Sequence, residues 1–453
     1  MTRLHSAAIL CTLILVAGST LACRRSCEFE NIGIDLIQFH QAARHVRSGG
    51  NADLYEDSVR QQILSKAWED ARQSPNTRFF HAVNFRHQRS LELYSSPFLY
   101  TVFSLMAAMP YENAIKMHHV ISLIGTILGC LGFGLCCGIP RTSLIIAAGA
   151  MLAFSPLIID LNVANVNQIQ FGMLGVLLLI RYTGRLHQET GKEASSKKGT
   201  FSTKLREFLC GLWFALCLCF KPSLLWCAAL VIVDAVHRRD RTRLRFAAAG
   251  GVTGGALAFS SSLLFFESQH WLRWLRAVSS LPDEIIKTSQ GNFSPTYFAV
   301  NSLQWPPAVT TVTGPLLCAS VATAFWIRAR RQQAADCTRD SARAISDARL
   351  LVVGVMTYLL TARLVWFHYL VLSIPAILYL IGHIFRTPDR TEQIILSLIV
   401  VWTTLLIGLQ PPDFWIGSTQ EEHMLRCFLA NTILLSMVLL CPPRILTAEN
   451  SVG

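Results

Sequence analysis

Asn31-Ile-Gly-Ile-Asp35 marks the point where a short apolar segment, Ile9–Leu21, gives way to a long polar stretch. Beyond that stretch, from residue 94 onward, the chain is mostly runs of apolar residues separated by short loops. This plan predicts a first membrane helix, a large water-facing loop and then a bundle of apolar helices. A carboxylate close behind the first helix, Asp35, is well placed to act at the mouth of such a bundle.

The composition agrees with that plan. Of 453 residues 52% are hydrophobic and 15% charged, and the mean hydropathy is +0.40. Soluble domains carry about 25% charged residues. Backbone groups in lipid must be satisfied within helices or a closed barrel. The apolar runs lack the alternation of strands, so helices are expected. The net charge of +12 does not indicate nucleic acid, because the basic residues cluster in short loops between apolar runs, as in cytoplasmic loops. Many of the fourteen cysteines lie inside those runs, among them Cys130, Cys136, Cys217 and Cys227, where cysteine behaves as a small hydrophobe. Cys23 and Cys27 could pair. The N-terminus also resembles a cleaved signal peptide ending at Ser19-Thr20-Leu21-Ala22-Cys23; an uncleaved first helix is the preferred reading.

Twelve spans are expected, near 7–22, 117–137, 143–159, 168–182, 207–220, 223–236, 246–266, 308–328, 349–362, 369–384, 393–409 and 424–441. The whole chain, 1–453, reads as one all-α, polytopic membrane domain. Pro97–Pro110 is too short to span and reads as re-entrant or interfacial. Loops Arg185–Arg206, His237–Arg245, Arg328–Arg349 and Arg386–Arg390 are basic and expected in the cytoplasm. The opposing loops, including Asp160–Gln168, Lys221, Glu267–Ser302 and Arg363–His368, are poor in Lys and Arg and expected outside. The 24–93 loop then lies outside, although Arg24 and Arg25 vote against that orientation. Within it, Leu36, Phe39, Ala43 and Val46, and then Val59, Ile63, Ala67 and Ala71, recur at helical spacing. Both series predict amphipathic helices on the membrane surface.

Unusual polar residues collect on the outward side. Asp35 sits at a helix start, where its ordinary role is a cap or first-turn charge. Asp160-Leu-Asn-Val-Ala-Asn165-Val-Asn167-Gln168-Ile-Gln170 is dense in amides, which ordinarily join helices by hydrogen bonds. Lys221-Pro222 interrupts an apolar run; a lysine at membrane depth is a functional candidate by default, with snorkelling as its ordinary alternative. The polar loop Ile286–Pro295 is either a lid or a connector. Arg363 and His368 flank Trp366, and both residue types can hold a phosphate. A carboxylate can take a proton from an acceptor hydroxyl while cations stabilise a departing phosphate. No nucleotide loop, HExxH, GxSxG or CxxC pattern is found.

These residues, in this order, resemble the polyprenyl-phosphate-sugar-dependent glycosyltransferases of the GT-C fold, and most closely the bacterial branch called glycosyltransferase family 87, also described as DUF2029, which includes mannosyltransferases of lipid glycans. The likeness covers residues 30–385. It rests on Asp35 with Gly49-Gly50 and Leu54-Tyr55, on Tyr94-Ser-Ser-Pro97, Asn167-Gln168-Ile-Gln170, Lys221-Pro222 and Gly291-Asn292-Phe-Ser294, and on Val365-Trp366-Phe-His368-Tyr369. The sequence departs from the family pattern at Asn167, Gln170, Val365 and Tyr369.

The resemblance implies an inverting hexosyltransferase in the cytoplasmic membrane. It would move a sugar such as mannose from a polyprenyl-phosphate donor to an envelope glycan or glycolipid on the outer side. Asp35 would be the base, and Lys221 and His368, with Arg363, would hold the donor phosphate. Asn167, Gln168 and Asn292 would line the sugar and acceptor pocket. Neither metal nor cofactor is expected, since Lys, Arg and His can supply the positive charge. Two other readings stay open: a lipid-linked sugar flippase or solute transporter, and a non-catalytic partner in envelope assembly.

Overall fold

The computed structural model describes residues 32–49, 53–88, 91–189, 196–238, 241–279, 292–306, 340–408 and 420–441, with a few positions between 316 and 324. It is helical throughout these segments; the only β pairing among them is one isolated bridge, Asn292 to Trp366. The expected first span at 7–22, the Cys23/Cys27 pair and most of the span at 308–328 lie outside the described residues.

The polar stretch folds as a small helical module whose apolar core continues into the bundle through Tyr111, Ile115, Val166 and Phe220. Helices α1 (Leu36–Arg47), α2 (Asp57–Gln73), α3 (Thr77–His87) and α4 (Pro97–Phe103) enclose an apolar core built on Leu36, Ile37, Ile63, Ala67, Val83 and Tyr100. The two predicted amphipathic helices are α1 and α2. Pro97–Pro110 is a short helix followed by a 3-10 turn, Met106–Ala108. Gly33 carries a positive φ of 64°, a conformation that favours glycine. The Tyr111 hydroxyl lies 2.8 Å from where its Cβ would stand, and that hydroxyl donates to the Ile32 and Gly33 carbonyls at 2.7 Å.

The bundle follows with α5 (Tyr111–Cys136), α6 (Arg141–Leu152), α7 (Ser155–Val163), α8 (Asn167–Glu189), α9 (Ser196–Phe220), α10 (Leu225–Arg238) and α11 (Arg241–Ser262). After the surface helix α12 (Gln269–Ser279) and the short α13 (Pro295–Asn301) come α14 (Asp340–Thr361), α15 (Ile374–Arg386), α16 (Arg390–Gly408) and α17 (Gln420–Leu440). Among the described residues five helical stretches are long and apolar enough to cross a membrane, or six if the bent pair α6–α7 counts as one. The stretch 143–159, expected as one span, is that pair, bent by 57°. Pro156 stands in the first turn of α7; it has no N–H to donate back to Leu152, and its ring would clash with that carbonyl if the helix ran on unbroken. Helices α8, α9 and α11 are long, but charges within them (Arg181, Glu207, Arg243) shorten their apolar stretches.

Close packing comes from small residues. A Cβ on Gly125, Gly132 or Gly175 would meet backbone of the facing helix where α5 crosses α8. Gly211, Gly250 and Gly254 do the same where α9 crosses α11. Close backbone approach of this kind drives helix association in lipid, where burial of apolar surface offers little. At one end of the bundle Arg181 and Arg243 bridge Glu207 and Asp347 across α8, α9, α11 and α14. The other end, where α8 begins and α9 stops, carries the polar module.

Candidate functional site

Asp35 immediately precedes α1 but does not cap it. Its backbone is already helical, and its side chain accepts no backbone N–H of the first turn, although Gln38 Nε2 faces Oδ1 at 3.5 Å. The carboxylate turns toward the bundle instead. Oδ1 accepts from Arg86 Nη2 of α3 at 2.7 Å, and Oδ2 accepts from Asn165 Nδ2 at 2.6 Å. The backbone fixes this pose, since Asp35 N–H donates to the Val163 carbonyl at 2.8 Å. Arg86 is buried and also donates to the Ile34 carbonyl at 2.9 Å and to Glu92 at 3.3 Å.

Lys221 lies where α9 stops. Pro222 cannot continue the helix, so Lys221 is extended and a 3-10 turn, Pro222–Leu224, follows. The freed carbonyls find side-chain donors. Ser96 Oγ donates to Cys219 O at 2.5 Å, and Gln170 Nε2 faces Lys221 O at 3.4 Å. Ser96 also caps α4 through Leu99 N. The Tyr94-Ser-Ser-Pro97 motif thereby braces the helix break that presents Lys221. The Lys221 ammonium donates to Asn167 Oδ1 at 2.5 Å and to Asn165 Oδ1 at 3.3 Å, and stands 4.2 Å from the centre of the Tyr369 ring.

His368 enters from the 3-10 turn Phe367–Ser373, which precedes α15. It is buried, and its Nε2 stands 3.5 Å from Asp35 Oδ2. At that length and aim the contact is not a hydrogen bond, and Nε2 has no hydrogen-bond partner among the described residues. Asp35, Lys221 and His368, remote in sequence, therefore share one polar cluster.

The remaining expected residues are held differently. Asn167 begins α8; its Nδ2 donates to Asp160 at 2.8 Å, and its Oδ1 receives Lys221. Gln168 is fully buried, with its amide between Leu157 O at 2.9 Å and Thr126 Oγ1 at 2.9 Å. Asn292 is also fully buried; it donates to Arg363 O at 3.1 Å and accepts from Val365 N and Ser294 N at 3.0 Å. It clips its loop to the segment that leads to His368. Arg363 joins this clip through its carbonyl, which also receives Ser294 Oγ at 2.8 Å.

Three members of the cluster were not singled out from sequence: Arg86, Asn165 and Asp160. Asn165 and Asp160 lie in the amide-dense segment, whose density was their signal. Arg86 gave none, being one arginine among many in a polar module. The reversal that aims Asn165 inward passes through Ala164, a left-handed residue with φ 53°. Such conformations are uncommon away from glycine and concentrate at functional sites. Among the described residues no group of three or more His, Cys, Asp or Glu side chains is placed to hold a metal ion.

Residues 94–345 match the family described as Glycosyltransferase family 87. No curated protein and no solved structure matches. The matched region contains Asn165, Asn167 and Lys221 but neither Asp35 nor His368, so the cluster extends beyond it on both sides. It covers more than half of the chain, and the protein belongs to glycosyltransferase family 87.

Proposed function

We propose that the protein transfers a hexose, such as mannose, from a polyprenyl-phosphate donor to a hydroxyl of an envelope glycan or glycolipid, with inversion, on the outer side of the cytoplasmic membrane. Asp35 takes the proton of the acceptor hydroxyl. The acceptor oxygen attacks the anomeric carbon as the bond from that carbon to the phosphate oxygen breaks. The bonding pair leaves with the polyprenyl phosphate. Lys221 holds the charge that develops there, exchanging one of its two amide partners for phosphate oxygen. His368 Nε2 completes the phosphate contact or orients the acceptor hydroxyl. A single inverting displacement requires base and leaving-group cation to act from opposite faces of the sugar. Asn165, between Asp35 and Lys221, lines the sugar site together with Asn167. Arg363, Gln168 and Asn292 shape the site from behind.

The observation that carries this reading is the meeting of Asp35, Lys221 and His368 in one cluster although three different segments supply them. The excess of Lys and Arg in 185–206, 237–245, 328–349 and 386–390 over the opposing loops supports the outer side, since cytoplasmic loops are the basic ones. The test is Asp35→Asn in the full chain, reconstituted with polyprenyl-phosphate mannose. Asn keeps the shape but cannot accept a proton. Transfer to envelope glycolipid should fall by about 10²–10⁴-fold, the usual contribution of a positioned base, with donor binding retained. Transfer at the unaltered rate would refute the mechanism.

A further inference from the structure

Charges at the site alternate in sign along a row. Glu92 contacts Arg86 at 3.3 Å and Arg86 contacts Asp35 at 2.7 Å. Asn165 bridges Asp35 to Lys221, its Nδ2 on the carboxylate and its Oδ1 on the ammonium. Asn167 repeats the bridge on the other side of Lys221: its Oδ1 takes the ammonium at 2.5 Å and its Nδ2 donates to Asp160 Oδ1 at 2.8 Å. The row closes on Asp160, which has no exposed surface and whose second oxygen faces Gln168 N at 3.2 Å. Lys221 thus lies between two carboxylates, each one amide away, and leans toward the Asp160 side (2.5 Å against 3.3 Å).

This geometry has an electrostatic consequence. A buried ammonium beside a single carboxylate is drawn into direct contact with it, because attraction is strong where water is scarce. Lys221 with only Asp35 nearby would close onto that carboxylate, blocking the oxygen that must accept a proton. A second carboxylate on the far side opposes that collapse. We propose that Asp160 is a positioning residue: through Asn167 it holds Lys221 away from Asp35, keeping the base and the phosphate-binding cation of one site apart. The ordinary role for Asp160, capping the start of α8 through Gln168 N, predicts only a loss of stability when it is changed. The proposal rests on the reading of Asp35 as base and Lys221 as phosphate holder.

The experiment is Asp160→Asn in the full chain in lipid nanodiscs, with two readouts: turnover of polyprenyl-phosphate mannose, and affinity for polyprenyl monophosphate, which needs no acceptor. The substitution keeps shape and removes one negative charge beside the phosphate site. Turnover should fall at least tenfold, while the monophosphate binds as tightly as to the parent protein or more tightly. A cap or packing role would lower both together, and that result overturns the proposal, as does parental turnover. If Asp160→Asn does not fold, Asn167→Ala removes the bridging amide and leaves the contact with Gln168 N. The same split between turnover and affinity is expected, and its absence overturns the proposal. Lys221→Met separates this inference from the reading beneath it. Unchanged monophosphate affinity in Lys221→Met refutes the role of Lys221. Weakened affinity there, with parental turnover in Asp160→Asn, refutes the role of Asp160 alone.

Discussion

Arg86→Met removes the cation that pairs with the proposed base, and its effect can be worked from the contacts. The Arg86 and Asp35 side chains are 6% and 13% exposed and 2.7 Å apart, so water screens their interaction little. Removing one partner of a buried ion pair leaves an uncompensated charge, at a cost of about 3–5 kcal/mol. The Glu92 contact is longer, at 3.3 Å, and its carboxylate is 33% exposed, so its loss adds no more than about 1 kcal/mol. The Ile34 carbonyl loses a charged donor at 2.9 Å, a bond worth about 1.5 kcal/mol. These contributions share one side chain and do not add fully, so about 4 kcal/mol is expected in total. Thermal unfolding of detergent-solubilised protein, without donor, should show a clearly lowered midpoint for Arg86→Met. Adding Asp35→Asn to it should recover at least half of the loss, because the stranded charge is gone. Single and double variants that unfold at the same temperature would show that charge pairing is not what Arg86 supplies.

Two further outcomes are expected. His40 donates from Nε2 to the Met109 carbonyl at 3.2 Å while its Nδ1 faces Gln41 Nε2 at 3.3 Å, an arrangement that suits the neutral ring; burial pushes its pKa down from 6.5 to about 4. The unfolded chain takes up that proton first as pH falls, so stability is flat above pH 6.5 and drops by about 3 kcal/mol between there and pH 4. His40→Gln should flatten the acid side of a plot of unfolding midpoint against pH, and an unaltered slope would refute the assignment. At the α5–α8 crossing, Gly175→Val places a methyl-bearing carbon against the Leu128 carbonyl and Gly129; overpacking of this kind costs about 1–3 kcal/mol. Yield of monodisperse protein should fall well below that of Gly255→Val, where a Cβ would meet nothing within 4 Å. Equal yields would show that this crossing tolerates separation.

What the sequence disclosed follows from how each residue departs from its surroundings. Lys221-Pro222 stands out because a charge and a helix breaker interrupt an apolar run, and the helix stops there. The amides between 160 and 170 stand out for the same reason. Arg86 does not, because α3 is polar along much of its length and nothing local separates a buried arginine from a solvated one. Gln168 and Asn292 show the converse. Both were conspicuous, yet their amides are taken up by protein groups in the interior, a difference set by rotamer and packing rather than by residue type. The bend between α6 and α7 was announced by Pro156 and hidden by the continuous hydrophobicity around it.

Asp35 had two readings at the outset, a helix cap or a reactive carboxylate, and its backbone is not that of a cap. A cap needs an extended residue whose side-chain oxygen reaches the second or third amide of the helix. Asp35 has φ −91° and ψ −38° and caps nothing. Its oxygens are aimed at Arg86 of the polar module and Asn165 of the bundle, while its N–H is anchored on Val163. The helix start has thus given up a contact generally worth about 1 kcal/mol in favour of one to the bundle. Two parts of the chain supply the cluster: Asp35 and Arg86 come from the module, and Asn165, Lys221 and His368 from the bundle. Neither can form the cluster without the other, and the family match to 94–345 holds Asn165 and Lys221 while Asp35, Arg86 and His368 lie outside it.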